Sequence, residues 1–117
     1  MSLLKTEIPK DLQEKAFEAI EISKKSGKLK KGSNEVTKVV EKGVAKLVVV
    51  AEDTNPIEVV MHLPALCEEK DIPLISVAKR SELGAAAGLQ VPTAAVAIVQ
   101  EGDAKNLIEE IKNKLKK

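Results

Sequence analysis

Aromatic side chains are almost missing from this chain. Of its 117 residues one is a phenylalanine, Phe17, and none is a tryptophan or a tyrosine. Proteins that bind single-stranded nucleic acid on RRM or OB domains stack bases on several exposed rings, so a stacking platform of that kind is excluded. A single cysteine, Cys67, excludes an intramolecular disulfide, a multi-cysteine zinc site and iron–sulfur ligation. No apolar run approaches the roughly 20 residues that cross a bilayer, and no membrane partner is expected. The first seven residues, Met-Ser-Leu-Leu-Lys-Thr-Glu, lack the apolar core of a secretory signal. The expectation is an intracellular, cytoplasmic protein. A net charge of only +1 argues against a broadly basic coat that binds nucleic acid by charge alone.

What is present is a composition of 44% apolar and 32% charged residues. That reads as one soluble globular domain over residues 1–117, monomeric when free. Residues 1–8 read as a short arm, with Pro9 at a first helical position. Leu12, Ala16 and Ile20, with Phe17 beside them, mark a first amphipathic helix to about Ser23, ended by Ser26-Gly27. Lys28 to Lys31 suits a short edge strand, where lysines discourage unwanted pairing. A helix over Gly32–Lys42 follows, stopped by Gly43.

Leu47-Val-Val-Val-Ala51 is a continuous β-branched run, the pattern of a strand buried on both faces. Asn55-Pro-Ile-Glu58 has an N-cap, a proline at the first helical position and a glutamate at the third. The helix it opens would have to accommodate Pro64 with a kink, ending near Lys70-Asp71. Leu74–Val77 reads as a third buried strand and Ser81–Gly88 as a short helix of small residues. Leu89-Gln-Val-Pro92 is a loop exposing two aliphatic side chains beside a rigid proline. Ala94–Val99 is a last strand, and Leu107, Ile108, Ile111 and Leu115 give a final helix its apolar face. Helices and strands alternate, which predicts a three-layer α-β-α sandwich around a small four-stranded mixed sheet.

The most informative stretch is Gly32-Ser-Asn-Glu-Val-Thr-Lys38. Gly32 or Ser33 can cap a helix, and Val36, Val39 and Val40 then share one buried face. Asn34 and Lys38 fall nearly opposite those valines, with Glu35 beside them. An amide, a carboxylate and an ammonium are thus presented together near the positive end of a helix dipole. A folded nucleic acid offers matching negative charge, donors and acceptors in a small space. The plainer alternative is a helix cap followed by a solvated Glu35–Lys38 pair. Charge distribution bears on the choice. Between Lys24 and Lys42 lie seven lysines against Glu35 and Glu41, a local excess of five positive charges. Such a patch is the footprint that phosphate binding needs. Lys28, Lys30, Lys31, Lys79 and Arg80 are the phosphate candidates, since backbone contacts position without specifying.

Catalysis requires a nucleophile, a base and an orienting group. The one histidine, His62, sits in a helical stretch before Leu63-Pro64 and reads as structural. Cys67 reads as a small buried hydrophobe. Glu52 and Asp53 with Glu68 and Glu69 could suggest a magnesium site, but no phosphate-cradling glycine loop accompanies them. Gly84 and Gly88 suit close helix packing better than nucleotide binding. No catalytic residue, metal or cofactor is expected.

Four separated motifs, Gly32–Lys38, Ala51-Glu-Asp-Thr-Asn-Pro56, His62–Lys70 and Leu83-Gly-Ala-Ala-Ala-Gly88, resemble one family in the same order. It is the kink-turn RNA-binding family of the archaeal large ribosomal subunit, the ribosomal protein L7Ae family, and the likeness spans about residues 9 to 112. The resemblance implies an RNA-binding protein without catalytic activity that folds and holds kink-turns and kink-loops, helices bent at a bulge beside tandem sheared G·A pairs. It implies ribosomal RNA and the box C/D and box H/ACA guide RNAs as partners, together with other ribonucleoprotein proteins, and RNase P as a further home.

In a sheared pair the guanine leaves its Watson–Crick edge free. Glu35 can accept from N1–H and N2–H, while Asn34 and Lys38 can donate to O6, by the donor–acceptor logic of groove readout. The resemblance assigns Leu89, Gln90 and Val91 to the loop covering an extruded bulge nucleotide, and Val59 to the same pocket. Ordinary loop packing for Leu89 and core packing for Val59 stay open. An aliphatic residue at Val91 is similar to the archaeal branch. Gly32, Ser33, Glu52, Asp53 and Asn55 are further RNA-contact candidates, Asn55 being equally a helix cap. The competing reading is a protein–protein adaptor, using the Glu/Lys-rich last helix and making no direct sequence-specific RNA contact.

Overall fold

The centre of the molecule is the strand β2, Leu47–Ala51, all five of whose residues are buried. A computed structural model describes residues 10–54 and 60–115. The N-terminal arm with Pro9, the helix start at Asn55–Glu58 and Val59 lie outside the described residues. Within them the elements run α1 (Lys10–Ser26), β1 (Lys28–Lys31), α2 (Ser33–Glu41), β2, α3 (Leu63–Glu69), β3 (Leu74–Val77), α4 (Arg80–Ala86), β4 (Ala95–Gln100) and α5 (Lys105–Leu115). A 3-10 turn over Gly102–Ala104 leads into α5.

The four strands form one sheet in the order β1-β4-β2-β3. β2 pairs parallel with β3 and antiparallel with β4, and β4 pairs antiparallel with β1. The mixed sheet and the edge position of the lysine-rich β1 agree with the reading of the sequence. β3 occupies the other edge, yet its four residues are all buried.

Alternation along β2 explains the three layers. Leu47, Val49 and Ala51 face a cluster with Leu12, Ala16, Ile20, Leu83, Ile108 and Ile111, from α1, α4 and α5. Val48 and Val50 face Val36, Val39, Val40, Leu63 and Cys67, from α2 and α3. A run that is β-branched without alternation is therefore what a strand sandwiched between two helical layers requires. On the outer surface Lys15 of α1 donates to Glu110 of α5 at 2.5 Å. That bond holds the Glu110 carboxyl below, and the Lys15 ammonium above, its ordinary range.

Two local expectations are corrected. First, α1 runs one turn past Ser23. The Ser23 hydroxyl donates to the Glu101 carbonyl (3.0 Å), and the Ser26 hydroxyl donates to the Ile22 carbonyl (3.0 Å) and accepts from the Asp103 amide (2.9 Å). Tertiary bonds to the 3-10 turn thus keep the last turn helical. Second, Pro64 does not kink a helix interior. It stands in the first turn of α3, where its missing N–H costs nothing. Gly32 stands at the N-cap of α2, one of the two positions expected, and having no side chain it makes no side-chain cap bond. α2 does stop as anticipated: the amides of Gly43 and Val44 donate to the carbonyls of Val40 (2.9 Å) and Val39 (3.1 Å), a Schellman closure.

Cys67 is buried, and burial pushes its thiol up from 9.0 to about 12. Native protein at pH 8 is expected to resist an aromatic disulfide reagent that labels the unfolded chain. Because the folded value is raised, the thiol's contribution to stability is complete below about pH 9 and is lost as pH climbs toward 12. Replacing Ile75, which is fully buried, should show how far the core depends on close packing. Ile75→Ala is expected to cost about 2–5 kcal/mol in urea unfolding, whereas Val44→Ala, at an exposed position, should stay within about 0.5 kcal/mol.

Candidate nucleic-acid interface

One end of the sheet collects nearly every candidate residue. β2 and β3 finish there, β1 finishes antiparallel to the start of β4, and α2 and α4 both begin there. Ligands in open α/β sheets gather at this kind of edge, beyond the carboxyl ends of parallel strands. Two backbone bonds weld it together. The Gly32 amide donates to the Ala95 carbonyl at 2.8 Å, and the Ala51 amide donates to the Ala94 carbonyl at 2.9 Å.

Gly32 makes the turn from β1 into α2 at φ 96°, a conformation other residues avoid. The turn aims α2 so that Val36, Val39 and Val40 are buried while Asn34, Glu35 and Lys38 are exposed. Lys38 Nζ lies 3.8 Å from Glu35 Oε1, both side chains at least half exposed. With no side-chain cap at its start, α2 directs its free amides and positive dipole end outward beside these three groups. Thr37, on the same helix, donates to the Ser33 carbonyl and also lies 2.7 Å from His62 Nε2. That contact ties α2 to the start of α3 and gives His62 its structural place.

The second half of the site approaches from the opposite helical layer. After α4 the chain doubles back as Leu89-Gln90-Val91-Pro92, with the Leu89 amide donating to the Gly84 carbonyl at 2.8 Å and the Thr93 amide to the Arg80 carbonyl at 3.3 Å. Val91 is 63% exposed, more than any other large aliphatic side chain among the described residues. Gln90 is exposed too. Leu89 is only half-buried rather than fully displayed, because its backbone is drawn in toward Gly84.

The charged candidates divide by position. Lys30 and Lys31 are exposed at the end of β1 that meets the site, and Lys79 and Arg80 open α4 beside it. Lys28 pairs with Gln100 at the far end of β1, roughly 10 Å away by strand rise. Asp53 is committed within the protein: its Oδ1 accepts from the Arg80 amide at 2.9 Å and lies 3.5 Å from Arg80 Nε. Glu52 donates its amide to the Val77 carbonyl, joining β2 to β3. Glu68 and Glu69 end α3, at the opposite end of the sheet from Glu52 and Asp53, so the four acids do not converge. No group of three or more His, Cys, Asp or Glu suited to a metal occurs among the described residues. Asn55 and Val59 lie outside them.

Sequence reasoning missed the Asp53–Arg80 clamp and the Thr37–His62 contact. Both join residues distant in the chain. The only local sign was an acid just past a strand and a basic residue just before a helix.

These features define an α/β sandwich with a polar helical face and an apolar loop at one end of its sheet. Residues 14–108 match the model of the "Ribosomal protein L7Ae/L30e/S12e/Gadd45 family". The chain belongs to that family. It is also similar to the solved structure of the Giardia lamblia 15.5kD RNA binding protein, with a TM-score of 0.91 and 30% identity over 99% of this chain and 97% of that one.

The Asp53 clamp is open to a direct test. Asp53→Ala removes the side-chain acceptor at the start of α4, and thermal unfolding should register a loss of about 1 kcal/mol, the usual worth of such a cap. An unchanged melting curve would mean that the exposed carboxylate does not hold α4 in solution.

Proposed function

We propose that this chain is an RNA-binding protein that recognises and stabilises kink-turn and kink-loop RNA. The observation that carries the reading is the pairing of two unlike surfaces at one sheet end. An exposed amide–carboxylate–ammonium set stands on α2, and the most exposed large aliphatic of the described residues, Val91, stands on the loop after α4. Family membership and likeness to a protein whose title names RNA binding support it. In this reading Asn34, Glu35 and Lys38 meet the free edges of sheared guanines, Leu89, Gln90 and Val91 cover the extruded nucleotide, and Lys30, Lys31, Lys79 and Arg80 meet phosphates.

The protein then serves as a scaffold rather than an enzyme. It acts in the archaeal large ribosomal subunit and in box C/D and box H/ACA guide-RNA particles, with RNase P as a further assembly, all cytoplasmic. Recognition by base edge and shape accords with a chain that has one aromatic residue and a net charge of +1. Phosphate attraction adds affinity that salt weakens.

A kink-turn RNA labelled at both ends, titrated in the absence of magnesium, tests this. Binding should shorten the end-to-end distance measured by FRET, and replacing the sheared G·A pairs with Watson–Crick pairs should abolish the response. Glu35→Ala and Lys38→Ala are each expected to weaken binding by about 1–3 kcal/mol, the scale of a well-made base contact. Because the two side chains are neighbours, their losses should not simply add. An affinity untouched by both substitutions would defeat the assignment, and a distance that never changes would favour the adaptor.

A further inference from the structure

The loop that carries Val91 owes its position to an absence of atoms on α4. Gly84 lies in the middle of that helix with an ordinary helical backbone, and it is not among the glycines at positive φ. Conformational freedom therefore does not explain it, and glycine weakens a helix interior relative to alanine. Close approach does explain it. A β-carbon at Gly84 would stand 2.3 Å from the Val91 carbonyl oxygen and 3.3 Å from the Pro92 α-carbon. Both are backbone atoms, with no flexible tip to swing aside. The loop is fastened on either side of this contact, by Leu89 N–H to the Gly84 carbonyl and Thr93 N–H to the Arg80 carbonyl. With its carbonyl laid on the bare helix, Val91 keeps its side chain outward.

We propose that Gly84 is a positioning residue for the apolar half of the RNA site. It sets the height of the Leu89–Val91 ridge before RNA arrives, and thereby whether an unstacked nucleotide finds cover there. The inference rests on the kink-turn reading above. A ridge already seated spares the binding step the cost of ordering a loop. It also makes the loop's contribution separable from that of α2, which begins in the other helical layer and has no part in the Gly84 contact.

The test uses the full chain and its Gly84→Ala variant, titrated into two labelled kink-turns. One carries its natural bulge, and in the other the extruded nucleotide is abasic. Gly84→Ala is expected to lose about tenfold in affinity for the first RNA, the order of uncovering part of a valine-sized contact. On the abasic RNA, which offers the ridge nothing to cover, the variant should match the unsubstituted protein within about twofold. Equal losses on both RNAs, or none on either, overturn the positioning role. Should the unsubstituted protein bind neither RNA, the kink-turn reading itself falls, an outcome distinct from the variant's failure. If Gly84→Ala does not fold, hydrogen exchange on the unsubstituted, RNA-free protein decides the point. A Leu89 amide protected at least about tenfold supports the seat, and exchange at the rate of an open chain overturns it.

Discussion

Where β4 begins, two consecutive carbonyls, those of Ala94 and Ala95, accept hydrogen bonds from β2 and from the turn into α2, at 2.9 and 2.8 Å. Because Ala95 is already the first residue of a paired strand, these bonds leave the segment just before it no freedom to drift. The polar face of α2 and the loop after α4 are thus referenced to one short piece of backbone, although each grows out of a different helical layer. A binding surface made of two elements needs such a common reference if both are to meet a ligand at once. The buried faces of β2 supply the rigidity behind it, and a loosened core would blur the spacing of the site before it unfolded the protein.

Charge and chemistry are distributed in the same economical way. The chain is nearly neutral overall, yet its lysines crowd α1's last turn, β1 and α2. In the function proposed above, those lysines draw a polyanion toward this side of the molecule without choosing among sequences. Choice then falls to the few groups with directional hydrogen-bonding capacity on α2 and to the shape of the loop. With one aromatic residue in the chain, and that one packed against the core as Phe17, stacking has no part in this division of labour.

Much of this was legible from the residues alone, and the limits are instructive. The valine spacing in α2 gave its buried face correctly, because a helical period and burial are both local consequences of sequence. The unbroken β-branched run at Leu47–Ala51 placed the central strand for the same reason. Boundaries failed where partners far along the chain intervene. Ser23 and Ser26 hold α1's last turn through bonds to Glu101 and Asp103, and no pattern around Ser23 encodes those partners. Pro64 looked like a kink because the pattern around it gives no sign that α3 begins at Leu63. Within the site, the outward residues of α2 could be read off a helical wheel. Asp53, an RNA-contact candidate by sequence, is a backbone acceptor for Arg80 across 27 positions, and Gly84 gave no sign of which segment lies against it.

The contact between Thr37 and His62 has a consequence for how two helices of the site are joined. The Thr37 hydroxyl has one proton, and the Ser33 carbonyl receives it at 2.7 Å. The oxygen is then left to accept, so the hydrogen in the 2.7 Å contact sits on Nε2 of the imidazole. One hydroxyl thereby works in two directions, closing a turn of its own helix and seating the ring that stands at the N-cap of α3. The polar helix and its neighbour are in this way stitched together where α3 begins.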